Sequence, residues 1–175
     1  VLGLGLGNSA APARADWPPL SGWQFQPVAQ WKVQPPIGTF NVPGRMTFDA
    51  AGNLYIIDSG NNRVQVLDRQ GRATRAFGQL GTGRGELYNP QSVALDGQGG
   101  VLVTDRGNHA VVRFSASGAP LPSWTGFGEV VGLGVGSDGT VYLTDNVDVG
   151  SDPRSISWEG RLYRVSPDGA MRTVL

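Results

Sequence analysis

The chain has no cysteine, a single histidine, one lysine, two methionines and a formal net charge of zero over 175 residues. Without cysteine there is no disulfide framework, no thiolate metal site and no cysteine nucleophile, although the compartment stays open. One histidine supplies at most one imidazole ligand, which argues against zinc sites built from several. Lysine plus arginine and aspartate plus glutamate number 14 each. That balance removes the basic footprint that phosphate-backbone binding needs, so nucleic acid is not an expected partner. No stretch offers the roughly 20 apolar residues of a membrane-spanning helix.

What the chain does have is glycine, proline and repetition: 27 Gly, 12 Pro and one phrase written three times. Residues 49–58 read DAAGNLYIID, residues 96–105 read DGQGGVLVTD, and residues 136–145 read GSDGTVYLTD. The closing aspartates Asp58, Asp105 and Asp145 lie 47 and 40 residues apart, the period of a β-propeller blade of about 40–50 residues. The expected fold is all-β, with four-stranded antiparallel blades in an incomplete ring of about three.

Each unit divides into four short strands bounded by turn residues. The first has strands at 45–49, 54–57, 64–67 and 73–77; the second at 93–95, 101–104, 111–114 and near Trp124. The third has them at 133–135, 141–144, 162–165 and 171–175, with 146–160 inserted after its second strand as the main break in symmetry. Phe77 and Trp124 repeat the spacing of 47, so the register holds across the blade.

Residues 58–67, DSGNNRVQVL, with Phe77-Gly78 and the glycine-rich run to Tyr88-Asn89-Pro90, resemble the NHL-repeat family of β-propellers. The resemblance covers 40–175, strongly in the first two units and loosely in the third, where Asn146-Val147-Asp148 replaces the Gly-Asn after the aspartate. It implies a ring of six blades in most members and functions from protein and RNA binding to lyase and lactonase chemistry. Fold follows from it more firmly than activity.

The expected organisation is a leader at 1–15, an aromatic and proline-rich lead-in at 16–38 with one outer strand at 28–33, and blades at about 39–85, 86–126 and 127–175. The alternating Gly-Leu start and the small-residue stretch ending in Ala13-Arg14-Ala15 read as the remnant of a signal peptide, which places the protein in a secreted or periplasmic setting. Three blades do not close a ring, so their exposed faces call for cover. Further blades of a longer protein, a second copy or another subunit would each supply it.

Asp58 and Asp105, with Asn61 and Asn108, are expected to be structural: a carboxylate before a Gly/Asn turn accepts backbone N–H groups of that turn. Repetition in every blade argues for a fold requirement rather than a catalyst. His109 is read as an exposed turn residue; a general-base role would need an orienting partner, for which Asp105 is nearest. Asp145, Asp148 and Asp152 form a calcium candidate of hard oxygen donors, set against a plain solvated loop; no other cofactor is expected. The glycine-rich run at 78–85 lacks the Gly-Lys-Ser/Thr ending of a phosphate cradle and reads as an inter-blade loop.

One face gathers 59–62, 106–109, 146–160 and 78–89, and loops on a rigid scaffold carry binding residues. Arg84, Arg106, His109, Arg154, Trp158 and Glu159 are the expected contacts of a protein partner, since Trp and Arg are favoured anchors. The inner strands, 45–48, 92–95 and 133–136, hold no carboxylate except Asp49 and Asp96 at their ends. The functional expectation is an exported, non-catalytic protein-binding or assembly module. The alternative is a propeller-type hydrolase or lyase, gluconolactonase-like, using a divalent metal.

Overall fold

A computed structural model describes residues 37–150, 157–167, 169 and 172–174. The expected leader, residues 16–36 of the lead-in with its strand, Asp152 and Arg154 lie outside the described residues. Short apolar runs punctuated by Gly, Asn and Asp turns fold as twelve strands. In chain order they are β1 (Pro43–Phe48), β2 (Leu54–Asp58), β3 (Arg63–Leu67), β4 (Ala73–Phe77), β5 (Pro90–Leu95), β6 (Val101–Asp105), β7 (Ala110–Phe114), β8 (Pro120–Trp124), β9 (Glu129–Val135), β10 (Val141–Asp148), β11 (Trp158–Val165) and β12 (Arg172–Val174). They pair into three antiparallel sheets, β1-β2-β3-β4, β5-β6-β7-β8 and β9-β10-β11-β12, each in simple sequence order. This is the expected blade plan, with strand ends shifted by a few residues.

The inner strands lie side by side, β1 against β5 and β5 against β9. The alternation of a strand gives each sheet two faces, here called leading (toward the sheet before) and trailing (toward the sheet after). Tyr55, Ile57, Val64 and Val66 on the first sheet's trailing face pack with Val93, Val101, Val103, Val112 and Phe114 of the second. Leu102, Val111 and Trp124 then pack with Val130, Val141, Leu143, Tyr163 and Val165 of the third. The core therefore lies between sheets. Leu87 and Phe127, each 18 residues before a buried aspartate, plug these two joints from the connecting segments. Phe40 holds the same place against Leu54, Ile56 and Leu67 on the leading face of the first sheet.

The stretch 146–160 departs from the sequence expectation. Its two ends continue the hairpin, because β10 and β11 stay paired through Asn146↔Gly160, Val147↔Glu159 and Asp148↔Trp158. Only 149–157 lies between the strands.

Gly107 shows how tightly the joints close. Its N–H donates to the Tyr88 carbonyl at 2.8 Å, and a Cβ there would stand 2.5 Å from that oxygen. Gly134 meets nothing within 4 Å. Gly107→Ala is expected to cost about 1–3 kcal/mol in urea unfolding, as overpacking does, while Gly134→Ala stays near wild type; equal effects would refute the close approach.

Candidate functional site

The three repeated aspartates are buried, Asp58 and Asp105 at 0% and Asp145 at 1% exposure. Asp58 and Asp105 end second strands and Asp145 stands at the matching position within β10, and each holds the backbone N–H of the residue 17 positions earlier, in the connecting segment that enters its blade. Asn41 donates to Asp58 Oδ1 at 2.7 Å. Tyr88 donates to both oxygens of Asp105 at 3.0 Å. Gly128 donates to Asp145 Oδ2 at 2.6 Å. The expected acceptor role is present, and the turn's Gly107 and Asn108 N–H groups contribute to it at Asp105, but the larger backbone contribution comes from this distant segment. The turn contributes side chains: Asn61 and Asn108 Nδ2 donate to Asp58 and Asp105 at 2.9 and 2.8 Å. In the first two sheets a turn glycine completes the grip, Gly60 N–H on the Asn41 carbonyl and Gly107 N–H on that of Tyr88. The N–H and the carbonyl of one connector residue are thus both held, which gives the Asp-x-Gly-Asn spacing its physical reason.

A buried carboxylate needs compensating charge or several donors, and the blades supply these unequally. Asp58 receives Arg63 Nε at 2.8 Å and Gln65 Nε2 at 2.8 Å from β3. Asp145 receives Arg161 Nε and Nη2 at 3.1 and 2.8 Å and the Tyr163 hydroxyl at 3.3 Å from β11. In the second blade those two positions are Ala110 and Val112, paired with Asp105 and Val103, and the cation is gone. Burial pushes Asp58 up, but the Asn41 N–H, Asn61, Gln65 and Arg63 together bring it below the usual value. Burial raises Asp105 to about 6, and its bonds from Tyr88 and Asn108 do not offset that. Sequence reasoning passed over Arg63 and Arg161 as partners because they stand five and sixteen residues after their aspartates; the register of β10 and β11 makes them equivalent.

The proposed contact residues are dispersed. Arg84 is exposed in the loop before β5. Arg106 is tied across the second joint to Glu129, with Nη2 at 2.6 Å from Oε2, so its charge is already paired. His109 is exposed with φ of 52°, matching Asn62 at 50° in the first blade, a left-handed turn position that His tolerates better than most residues. Asp105 uses its oxygens on Tyr88 and Asn108, and the structure does not bring His109 to it. Trp158, 52% exposed, and Glu159 lie on the extended hairpin.

Asp145 and Asp148 sit on opposite faces of β10, one buried and one exposed. Asp145 is neutralised by Arg161, and Asp148 Oδ1 accepts the N–H groups of Gly150 and Ser157 at 2.9 and 3.3 Å. Asp145 and Asp148 therefore do not face one shell, and among the described residues no group of three His, Asp or Glu side chains is placed to hold an ion.

Beside the inner strands runs a groove of about 520 Å³ lined by Arg45–Phe48, Ser92–Leu95 and Leu133–Val135. It matches the inner-strand positions expected from the sequence. An apolar surface at repeat positions that the first two blades bury lies on the trailing face of the third sheet. Tyr142 and Leu162 are each 40% exposed there, whereas the matching Tyr55 and Leu102 are 3% and 1%, and Val64 and Val111 are 0%. Trp158 shares that face of β11 through the two-residue alternation.

Three four-stranded antiparallel sheets joined by inner strands and inter-sheet cores define blades of a β-propeller. Residues 40–67 and 87–114 match the NHL repeat, so the chain carries NHL repeats at these two positions. It is 34% identical over 89 residues to human NHL repeat-containing protein 3, covering 49% of this chain and 26% of that one. It is 31% identical over 70 residues to the protein brain tumor of Drosophila melanogaster, covering 39% of this chain and 7% of that one. The chain therefore spans only a minor part of the length of these relatives. Among solved structures, virginiamycin B lyase from Staphylococcus aureus superposes with a TM-score of 0.54 at 15% identity, over 75% of this chain and 40% of that one. A Bacteroides caccae protein of unknown function gives 0.53 at 16%, over 74% and 48%. At such identities these likenesses show the fold. Among the described residues no helix is long and apolar enough to cross a membrane.

An acid with a raised folded-state pKa stabilises the fold in its protonated form, and that contribution is lost as pH rises through the folded pKa. For Asp105 the window runs from about 4 to about 6. Asp58, lowered, contributes stability above its ordinary range that is lost in acid. The unfolding free energy of wild type minus that of Asp105→Asn is expected to grow by about 1 kcal/mol from pH 7 to pH 5; a flat difference would refute the assignment.

Proposed function

We propose that this chain is a non-catalytic protein-binding or assembly module, whose contact surface is the trailing face of the third blade with the extended β10–β11 hairpin. The observation that carries this reading is the exposure of Tyr142 and Leu162 at positions that the two preceding blades bury. Burying a large apolar side chain contributes about 1.5–3 kcal/mol, and an aromatic at such a position adds contact area with few rotamers to freeze. Trp158 extends the same surface beyond the blade as an aromatic anchor, while Glu159 points to the opposite face of β11. Likeness in fold to a lyase supplies no residue-level support for a hydrolase or lyase. The secreted or periplasmic setting belongs to this reading on the strength of the leader at 1–15 alone.

The test is site-specific photo-crosslinking from position 142 in cells expressing the chain. The reading expects a discrete adduct with a protein, and its loss when Leu162→Arg is added. No adduct, or one indifferent to Leu162→Arg, refutes it.

A further inference from the structure

We propose that the connecting segment 78–89 is a pH-sensitive strap, fastened to the second blade through the Asp105 turn and loosening locally as pH rises. The three connectors are tied down in different ways. In the first blade Arg63 serves both the aspartate and the connector. Its Nε donates to Asp58 at 2.8 Å, while its Nη1 and Nη2 donate to the Ile37 and Thr39 carbonyls at 2.6 and 3.2 Å. In the third blade Arg161 neutralises Asp145, and Arg172 Nη1 donates to the Thr125 carbonyl of the short connector 125–128. The second blade has a longer connector, 78–89, and neither device, because Ala110 stands where the first blade has Arg63.

Among the described residues, the hydrogen bonds that fasten this connector to its own blade converge on one turn. Tyr88 N–H donates to both oxygens of Asp105 at 3.0 Å, and Gly107 N–H donates to the Tyr88 carbonyl at 2.8 Å. Asn108 Nδ2 donates to Asp105 Oδ2 at 2.8 Å and to the Gly81 carbonyl at 2.9 Å. The carboxyl therefore also orients the amide that holds the middle of the strap. Further bonds are internal, from Leu87 N–H to the Gln79 carbonyl, from Gly81 N–H to the Leu87 carbonyl, and from Gln79 and Gly83 to the Glu86 carboxylate. The strap can thus part from the turn as a unit, and what the turn keeps in the joint is Leu87, 0% exposed.

No charge offsets Asp105 from the elements around it. On the strap, Glu86 is engaged internally and Arg84 is exposed. Strand β5 has no ionisable side chain, and β6 has none besides Asp105. In the turn, Arg106 is paired with Glu129 and His109 is exposed; on β7, Arg113 lies over the Trp124 ring. Across the joint Tyr55 and Arg75 bond each other at 2.6 Å, Asp58 and Arg63 form their own pair, and Arg45 lines the groove beside the inner strands. Burial accordingly raises Asp105 to about 6, and its charged form is better accommodated when the strap opens and water reaches it. For an acid so raised, the fastening is strongest below the ordinary carboxyl range and weakens until pH passes the folded value.

The experiment is amide hydrogen exchange followed by NMR on the chain at pH 5, 6 and 7, with each rate expressed as protection relative to an unstructured peptide at the same pH. Tyr88 and Gly107 are expected to exchange through an opening smaller than the one that exposes β6 and β7. Their protection falls about tenfold from pH 5 to pH 7, while Gly128, held by Asp145, keeps its protection. Asp105→Asn removes the fall. His109→Asn, which installs the residue that the first blade has at that turn, retains it and so separates Asp105 from the only histidine. If Asp105→Asn does not fold, the carboxyl carbon shift of Asp105 in wild type takes its place, and its midpoint has to coincide with that of Tyr88 protection. A fall shared equally by Gly128 and the strand amides is global destabilisation and overturns the strap. Protection that ignores pH, a fall that survives Asp105→Asn, one that disappears with His109→Asn, or midpoints that differ would each overturn it as well.

Discussion

The structure depends on a carboxylate out of water at one repeated position of each blade's second strand. Removing that charge from solvent costs several kcal/mol unless donors surround it, so the surroundings are constrained. A backbone N–H from 17 residues earlier must arrive, a turn asparagine must reach back, and in two blades a glycine must let that peptide come close. The connecting segment is thereby fixed where its Phe or Leu can plug the joint. Polar satisfaction and apolar packing are two consequences of one placement.

The same constraint is met in three ways, and the differences carry information. The first and third blades answer the charge with arginine, bonded from β3 and β11. The second answers it with backbone and amide donors only and leaves Asp105 with a proton affinity near neutrality. Its joint is instead supplemented by the Arg106–Glu129 pair on the rim, which is partly exposed and correspondingly weak. The third blade drops the turn Gly-Asn, and the strands run on as a longer hairpin. Where the repeat is kept, its residues serve the fold. Where it lapses, at the hairpin, the aromatic side chain of Trp158 stands exposed.

Much of this was legible without coordinates. The strands are announced by Val, Leu and Ile runs between Gly and Asn turns, and the aspartates by their spacing. The inner-strand positions that line the groove were likewise readable. Two features were not. Asn146-Val147-Asp148 and Trp158-Glu159-Gly160 lack a β-rich composition, so only their cross-strand pairing reveals them as strand. The 17-residue reach from each aspartate to its N–H spans a connector of no fixed local pattern, and nothing in that connector marks Asn41, Tyr88 or Gly128 as donors.

The sequence by itself determined the blade, because alternation and turn chemistry act over a few residues and recur at a fixed period. Only the tertiary structure decided which of three similar faces remains open. Tyr55, Leu102 and Tyr142 occupy one position of one repeat, and their exposure differs because burial belongs to the neighbouring sheet rather than to the residue. The physical reason is that patterning selects which side of a strand is apolar, whereas the free energy of that side depends on what lies against it.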